Sequence, residues 1–293
     1  MKIAIVGVGG VGGYIGGKLA KSRENITFVA RGKQLEAIEQ NGLKVIDNED
    51  EFIVRPTLLT ENPKDIVFDV VFICLKSYDY NSLGFLQKNI DKDTIVIPLS
   101  NGVNNPEELK KYLNGNILNG CIYILSNIKE AGVIYRYSNT FYLLFGSSES
   151  DKAKELEKIL NRAGLKSKLS SSIDYNVWKK YLFISTFASL TSYHKGSIGY
   201  VVESKLDEVK LYLKELKSLA DKLKIGLNES DFENVITQAK NIPYDSTTSM
   251  QLDFKASRRS EVDNLTGFIV KKSKEFDLKT PFIEKIYQEL RCR

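Results

Sequence analysis

The chain has 293 residues, 42% of them hydrophobic and 27% charged. This is globular composition, which argues against disorder or fibre, and the length suits two domains or one large α/β domain. A net charge of +5 favours small anions mildly, and no basic tract points to nucleic acid. No apolar run approaches the roughly 18 residues of a membrane span, and the N-terminus lacks the apolar core and cleavage site of a signal peptide. Cys74, Cys121 and Cys292 show neither disulfide-framework nor zinc-ligand spacing. A reducing cytoplasm and no metal are therefore expected.

Met1 to Val6 reads as a buried parallel strand, followed by a glycine-rich turn and helical sequence to about Lys21. Ile26 to Ala30 is a second strand. Gln34 to Asn41 is a helix that stops at Asn41-Gly42. The runs Asp69 to Leu75 and Thr94 to Leu99 are further strands, with a short helix at Glu107 to Leu113. Ile117 to Leu125 and Phe141 to Phe145 are also strands, with a hairpin or extended segment over 127–139. Strands alternating with helices imply a mostly parallel, Rossmann-like sheet.

From Asp151 the pattern is nearly all helical: Asp151 to Ala163, Ile173 to Ser192, Leu206 to Lys224, Glu229 to Lys240, Asn264 to Phe276, and a last helix opened by Pro281. The serine cluster Ser170 to Ser172 marks the expected boundary between an α/β domain over 1–170 and an all-helical domain over 171–293.

Gly7-Val8-Gly9-Gly10-Val11-Gly12 matches GxGxxG between a strand and a helix, the context a dinucleotide-binding turn requires. Gly7 permits the tight turn, Gly9 lets a pyrophosphate approach the backbone, and Gly12 lets the helix pack on the sheet. The helix N-terminus then offers free amides and a positive dipole. An NAD site would carry an acidic residue about 20 residues on. Here Arg31 stands there, with Lys33 near it, and a guanidinium can grip a 2′-phosphate bidentately. NADP(H) is therefore expected. Lys76 and Asn101 lie beyond the C-terminal ends of two strands, where ligands bind in open α/β sheets.

Taken in order, GVGGVG at 7–12, Arg31, LKSYD at 75–79, SNGV at 100–103, WKKYL at 178–182, SM at 249–250 and RRSEVDNLTGF at 258–268 resemble the ketopantoate reductase (2-dehydropantoate 2-reductase) family across essentially the whole chain. The resemblance implies a Rossmann domain joined to a helical domain. It also implies NADPH-dependent reduction of a branched 2-oxo acid to a 2-hydroxy acid, on the route to pantothenate and coenzyme A.

By its place after Trp178, Lys180 matches the family's catalytic lysine, a general acid at the ketone oxygen, while Lys179 should point elsewhere on its helix. Glu261 matches the acidic residue that orients the lysine or binds a substrate hydroxyl. Ser249 matches a substrate-binding serine, Asn101 a residue that holds substrate and cofactor, and Lys76 a lysine near the nicotinamide.

Structural alternatives are a Glu261–Arg258 pair and Ser249 as a helix cap. Histidine is a residue type suited to acid–base work, but His194 stands at a helix end where the family motif gives it no role and ranks below Lys180. Where the family often has asparagines, this chain has Ile184, Ala188 and Ile198, so a less polar 2-oxo acid is a competing substrate. Other readings are a related hydroxy-acid or imine-forming dehydrogenase and a non-catalytic NADP(H)-binding protein. A monomer or a homodimer is expected.

Overall fold

The computed structural model describes residues 1–48, 50–146 and 150–293. It divides into two compact units, one of Met1–Ser100 with Asn104–Ile173, the other of Asn101–Val103 with Asp174–Arg293.

The first unit holds two sheets. The six-stranded sheet is parallel throughout, in the order β5-β2-β1-β6-β7-β8. Its strands are β1 (Lys2–Val6), β2 (Asn25–Val29), β5 (Leu58–Thr60), β6 (Val70–Ile73), β7 (Ile95–Pro98) and β8 (Asn116–Ile117). Alternation along β1 sends Ile3 and Ile5 into one core and Ala4 and Val6 into another, so both faces are buried. That explains why these strands are continuous apolar runs. A 3-10 stretch, Ser77–Asn89, covers the second face with Tyr80, Leu83 and Leu86.

The five-stranded sheet is built from β3 (Leu43–Asp47), β4 (Asp50–Val54), β9 (Asn119–Glu130), β10 (Val133–Gly146) and β11 (Ser167–Leu169). β9 and β10 form one long antiparallel hairpin, which resolves the segment over 127–139. β3, β4, β5 and β11 escape the sequence reading because they are short and several of their residues are exposed, so they lack long apolar runs. The helix expected at Glu107 to Leu113 is instead α3, Asn105–Leu109, with Pro106 in its first turn. It follows α1 (Gly10–Lys21) and α2 (Gly32–Asn41) and precedes α4 (Asp151–Arg162). Ser150 caps α4 by accepting the Ala153 amide at 3.2 Å.

Helix α1 packs against both sheets through glycines. A Cβ on Gly16 would stand 2.4 Å from Phe28 of β2, and one on Gly12 would stand 2.1 Å from the Gly7 carbonyl. Toward the other sheet, a Cβ on Gly13 would meet Ile134 at 2.5 Å and one on Gly17 would meet Val45 at 2.6 Å.

The second unit is helical: α5 (Ile173–His194), α6 (Ile198–Ser204), α7 (Leu206–Lys222), α8 (Glu229–Lys240), α9 (Ser249–Lys255), α10 (Val262–Glu275) and α11 (Pro281–Arg291). α6 is too short to show a helical period. Thr248, not Ser249, caps α9: its hydroxyl accepts the Gln251 amide at 3.3 Å. Asn228 and Asp231 form a reciprocal capping box on α8. Among the described residues no helix is long and apolar enough to cross a membrane.

Overpacking at α1 is directly testable. Gly16→Ala should lower stability by about 1–3 kcal/mol in urea unfolding, because Phe28 or the helix must shift. Gly9→Ala should change it by no more than about 0.5 kcal/mol, since nothing lies within 4 Å of the added Cβ. Equal losses in the two variants would contradict the packing argument.

Candidate active site

In the first unit, the parallel strands β1, β6 and β7 bring their C-terminal ends to one sheet edge. The turn after β1 sits there. Gly7 has φ of +93°, a left-handed backbone that glycine adopts freely, and its amide donates to Val29 O at 3.0 Å. Gly9 occupies the N-cap of α1 with no side-chain cap. Beyond it, the amides of Gly10, Val11 and Gly12 lie in the first helical turn, which has no intrahelical acceptors. Gly10 and Gly12 are needed for packing, because a Cβ on Gly10 would stand 2.5 Å from Ser126 O. Open space at Gly9, uncapped amides and the helix dipole together fit a phosphate.

Arg31 lies just beyond β2 and is exposed at the N-cap of α2, and Lys33 is exposed two residues later. Among the described residues no carboxylate pairs with either. The neighbouring Gly32 amide, however, donates to Glu61 Oε1 at 3.4 Å. Glu61 follows β5, which pairs with β2, so an acidic group reaches this turn from an adjacent strand rather than from the expected sequence position. Sequence spacing could not show it.

Lys76 is half-buried beyond β6, where its carbonyl accepts the Asp79 amide at 2.9 Å. Beyond β7, Ser100 is clamped by Asn105, whose Nδ2 donates to Ser100 O at 3.0 Å, while the Ser100 hydroxyl donates to Asn105 Oδ1 at 3.1 Å. Burial pushes the Cys74 thiol up to about 12, so it is no thiolate at neutral pH.

In the second unit, Lys180 and Asn101 come together: Lys180 Nζ donates to Asn101 Oδ1 at 3.1 Å. Asn264, on the first turn of α10, donates through Nδ2 to the Asn101 carbonyl. The approach is so close that a Cβ on Gly102 would stand 2.2 Å from Asn264 Nδ2, and Gly102 has φ of +125°. Asn264 lies inside the 258–268 segment but has no feature that marks it in the sequence alone.

Glu261 is 1% exposed and precedes α10, where its carbonyl accepts the Asn264 and Leu265 amides. Arg258 pairs instead with Asp253, at 2.9 Å. Ser249 is exposed at the start of α9. On α5, Ile184 is half-buried one turn beyond Lys180, and Ala188, a further turn along, is buried. Ile198 is buried at the start of α6, where its amide donates to Ser246 O at 2.8 Å.

Lys179 points elsewhere, as expected, to Asp231 Oδ1 at 2.9 Å. Burial opposes ionisation of Asp231, yet the Asn228 amide, Lys179 and Tyr175 outweigh it and hold the carboxyl below its usual range. His194 is tied to Glu208 at 2.8 Å. Among the described residues no group of three or more His, Cys, Asp or Glu side chains could hold a metal ion.

Comparison with known proteins gives the family. The chain is 28% identical over 300 residues to an uncharacterized oxidoreductase of Bacillus subtilis, covering 99% of this chain and 98% of that one. A solved 2-dehydropantoate 2-reductase of Porphyromonas gingivalis is 27% identical, covers 99% of both chains and superposes with a TM-score of 0.86. A D-mandelate dehydrogenase solved with NADH and anilino(oxo)acetate has a TM-score of 0.89 at 22% identity, covering 100% of this chain and 98% of that one, which shows a shared fold. The family model described as ketopantoate reductase PanE/ApbA matches residues 3–149, and its C-terminal model matches residues 172–293. The chain therefore belongs to the ketopantoate reductase family of oxidoreductases.

Proposed function

We propose that the protein reduces 2-dehydropantoate (ketopantoate) to pantoate with NADPH, a step of pantothenate and coenzyme A biosynthesis. The observation that carries this reading is the Lys180–Asn101 hydrogen bond, which fixes one ammonium group on the helical unit. The first unit is the NADP-binding domain in this reading, and the helical unit carries the catalytic and substrate groups.

The Gly7–Gly12 turn receives the pyrophosphate on the amides of Gly10, Val11 and Gly12. Arg31, assisted by Lys33, would hold the 2′-phosphate, and Lys76 would serve the nicotinamide end. When bound, the cofactor supplies a hydride to the carbonyl carbon. The chain supplies the rest. Lys180 polarises the ketone and gives its proton to the oxygen as negative charge develops there. Asn101 accepts from the lysine and holds substrate and cofactor. Glu261 orients Lys180 or accepts from a substrate hydroxyl, and Ser249 binds substrate.

Lys180→Ala and Glu261→Ala should each lower turnover by about 10²–10⁴-fold while sparing cofactor binding. Lys179→Ala should keep near-wild-type turnover and lose stability instead, because it strips Asp231 of its cation. Wild-type rates in the Lys180 and Glu261 variants would end the mechanism.

Glu61 gives a specific reason to test the cofactor, because a carboxylate at the Gly32 turn could accept from a ribose hydroxyl, as in NAD sites. Arg31→Ala should lower kcat/KM for NADPH by about tenfold or more, the cost of a lost bidentate charged contact. It should leave NADH use nearly unchanged, and Glu61→Gln should raise the preference for NADPH. Equal wild-type use of NADH would remove the role given to Arg31.

Ile184 and Ala188 support a second substrate reading, a 2-oxo acid without the hydroxyl of ketopantoate. The two are separated by kcat/KM across a 2-oxo-acid panel. A strong preference for ketopantoate rejects the second reading, and a preference for substrates lacking the hydroxyl rejects the first.

A further inference from the structure

Gln34, on the first turn of α2, ties the glycine turn after β1 to the hairpin of β9 and β10. Its Nε2 donates to Val8 O at 2.8 Å, and its Oε1 accepts the Gly132 amide at 3.0 Å. All three residues belong to the first unit. A carboxamide is a neutral group that donates at one end and accepts at the other, and here each end has the partner it needs. Gly132 is itself held: it is buried at the hairpin turn, and its carbonyl accepts the Lys44 amide at 2.9 Å. Gln34 passes that fixity on to Val8, which is 3% exposed.

The consequence falls on the next amide. The peptide between Val8 and Gly9 is trans and planar, so its C=O and N–H leave on opposite sides. With the carbonyl turned to Gln34, the Gly9 N–H is turned away from it. No backbone carbonyl among the described residues accepts from that N–H, and a Cβ on Gly9 would meet nothing within 4 Å. Main-chain N–H groups attract an anion, and a carbonyl facing it repels it. Left unfixed, this peptide plane could turn either group toward a phosphate. Gln34 selects the group that attracts.

We propose that Gln34 is a positioning residue for the cofactor's pyrophosphate, acting through the Val8–Gly9 peptide rather than by touching a phosphate. This role rests on the proposed dinucleotide site at Gly7–Gly12, and separate variants address the two.

The test is calorimetric titration of the full chain with NADPH, which reads affinity without turnover. Gln34→Met keeps the length of the side chain and removes both hydrogen bonds. It should weaken NADPH binding by about tenfold and raise the KM for NADPH to match, with kcat at saturating NADPH within about twofold of wild type. Gln34→Glu keeps an acceptor for the Gly132 amide but sets an oxygen against the Val8 carbonyl. It should recover the thermal stability lost in Gln34→Met and none of the affinity. Gly9→Ala adds a methyl group that touches no other residue, in the space left for the ligand. It should weaken NADPH binding by about tenfold or more. If Gly9→Ala binds weakly while Gln34→Met keeps wild-type affinity, or while Gln34→Glu regains it, the site stands and the role of Gln34 is overturned. A fall in kcat with KM unchanged in Gln34→Met overturns the role as well. Wild-type affinity in both Gly9→Ala and Gln34→Met removes the site and the role together.

Discussion

Helix α1 can pack against both sheets only because five of its residues have no side chain. At 10, 12, 13, 16 and 17 a methyl group would meet backbone or core atoms closer than 3 Å. The glycines cost helix propensity, roughly 1 kcal/mol each relative to alanine. That cost is offset by burial of Tyr14, Ile15 and Leu19 and by close contact with Phe28, Val45 and Ile134. Fixing the helix also fixes the turn that feeds it. The one glycine of the motif with open space around its missing Cβ is Gly9, where a ligand phosphate would come. The fingerprint thus divides: most of its glycines answer to packing, and at Gly9 packing asks nothing and leaves open space.

In the helical unit the comparable constraint is how a single lysine is held. Asn101 presents its side-chain oxygen to Lys180, and Asn264 grips the Asn101 carbonyl. Gly102 lacks a side chain where Asn264 must pass. Together these three residues set the partner that Lys180 meets at Asn101. Lys179 illustrates the converse. It has the same chemistry one residue earlier, but a rotation of about 100° along the helix sends it to Asp231. There it stabilises the cap of α8 and contributes to architecture.

The sequence showed clearly whatever depends on local pattern. Buried parallel strands such as β1 and β6 read as apolar runs, and the helix expected at Glu229 to Lys240 is α8, which Asn228 caps. The glycine motif was legible because a strand, a turn and a helix follow one another without interruption. What escaped depends on residues distant in the chain. Glu61 reaches the Arg31 turn because β5 pairs with β2, and Asn264 meets Asn101 across 163 positions. β3 and β4 are only partly buried, so their pattern is weaker than that of the parallel strands. Arg258 sits three residues before Glu261 but turns to Asp253, since Glu261 lies outside the regular turn that would have aligned them.

α5 combines these effects in one element. Its sequence is rich in hydroxyls, which on a simple amphipathic reading would face solvent. They do the reverse. Ser185, Thr186 and Thr191 are buried and donate back to carbonyls one turn earlier, and Ser189 joins Tyr212 and Thr266 in a buried network. The buried side of the helix therefore mixes these bonded hydroxyls with apolar residues such as Leu182, Phe187 and Leu190, while Ile184 and Ala188 follow Lys180 at the spacing of one helical face. Hydroxyls are buried, and apolar residues follow the lysine at helical spacing. In the proposed reaction this face would offer a substrate few hydrogen-bonding groups beyond Lys180 and Asn101, leaving other polar contacts to Ser249 and Glu261. In the proposed reaction, discrimination among 2-oxo acids by their side chains would depend on volume at Ile184 and Ala188, since an apolar wall rejects an extra hydroxyl weakly.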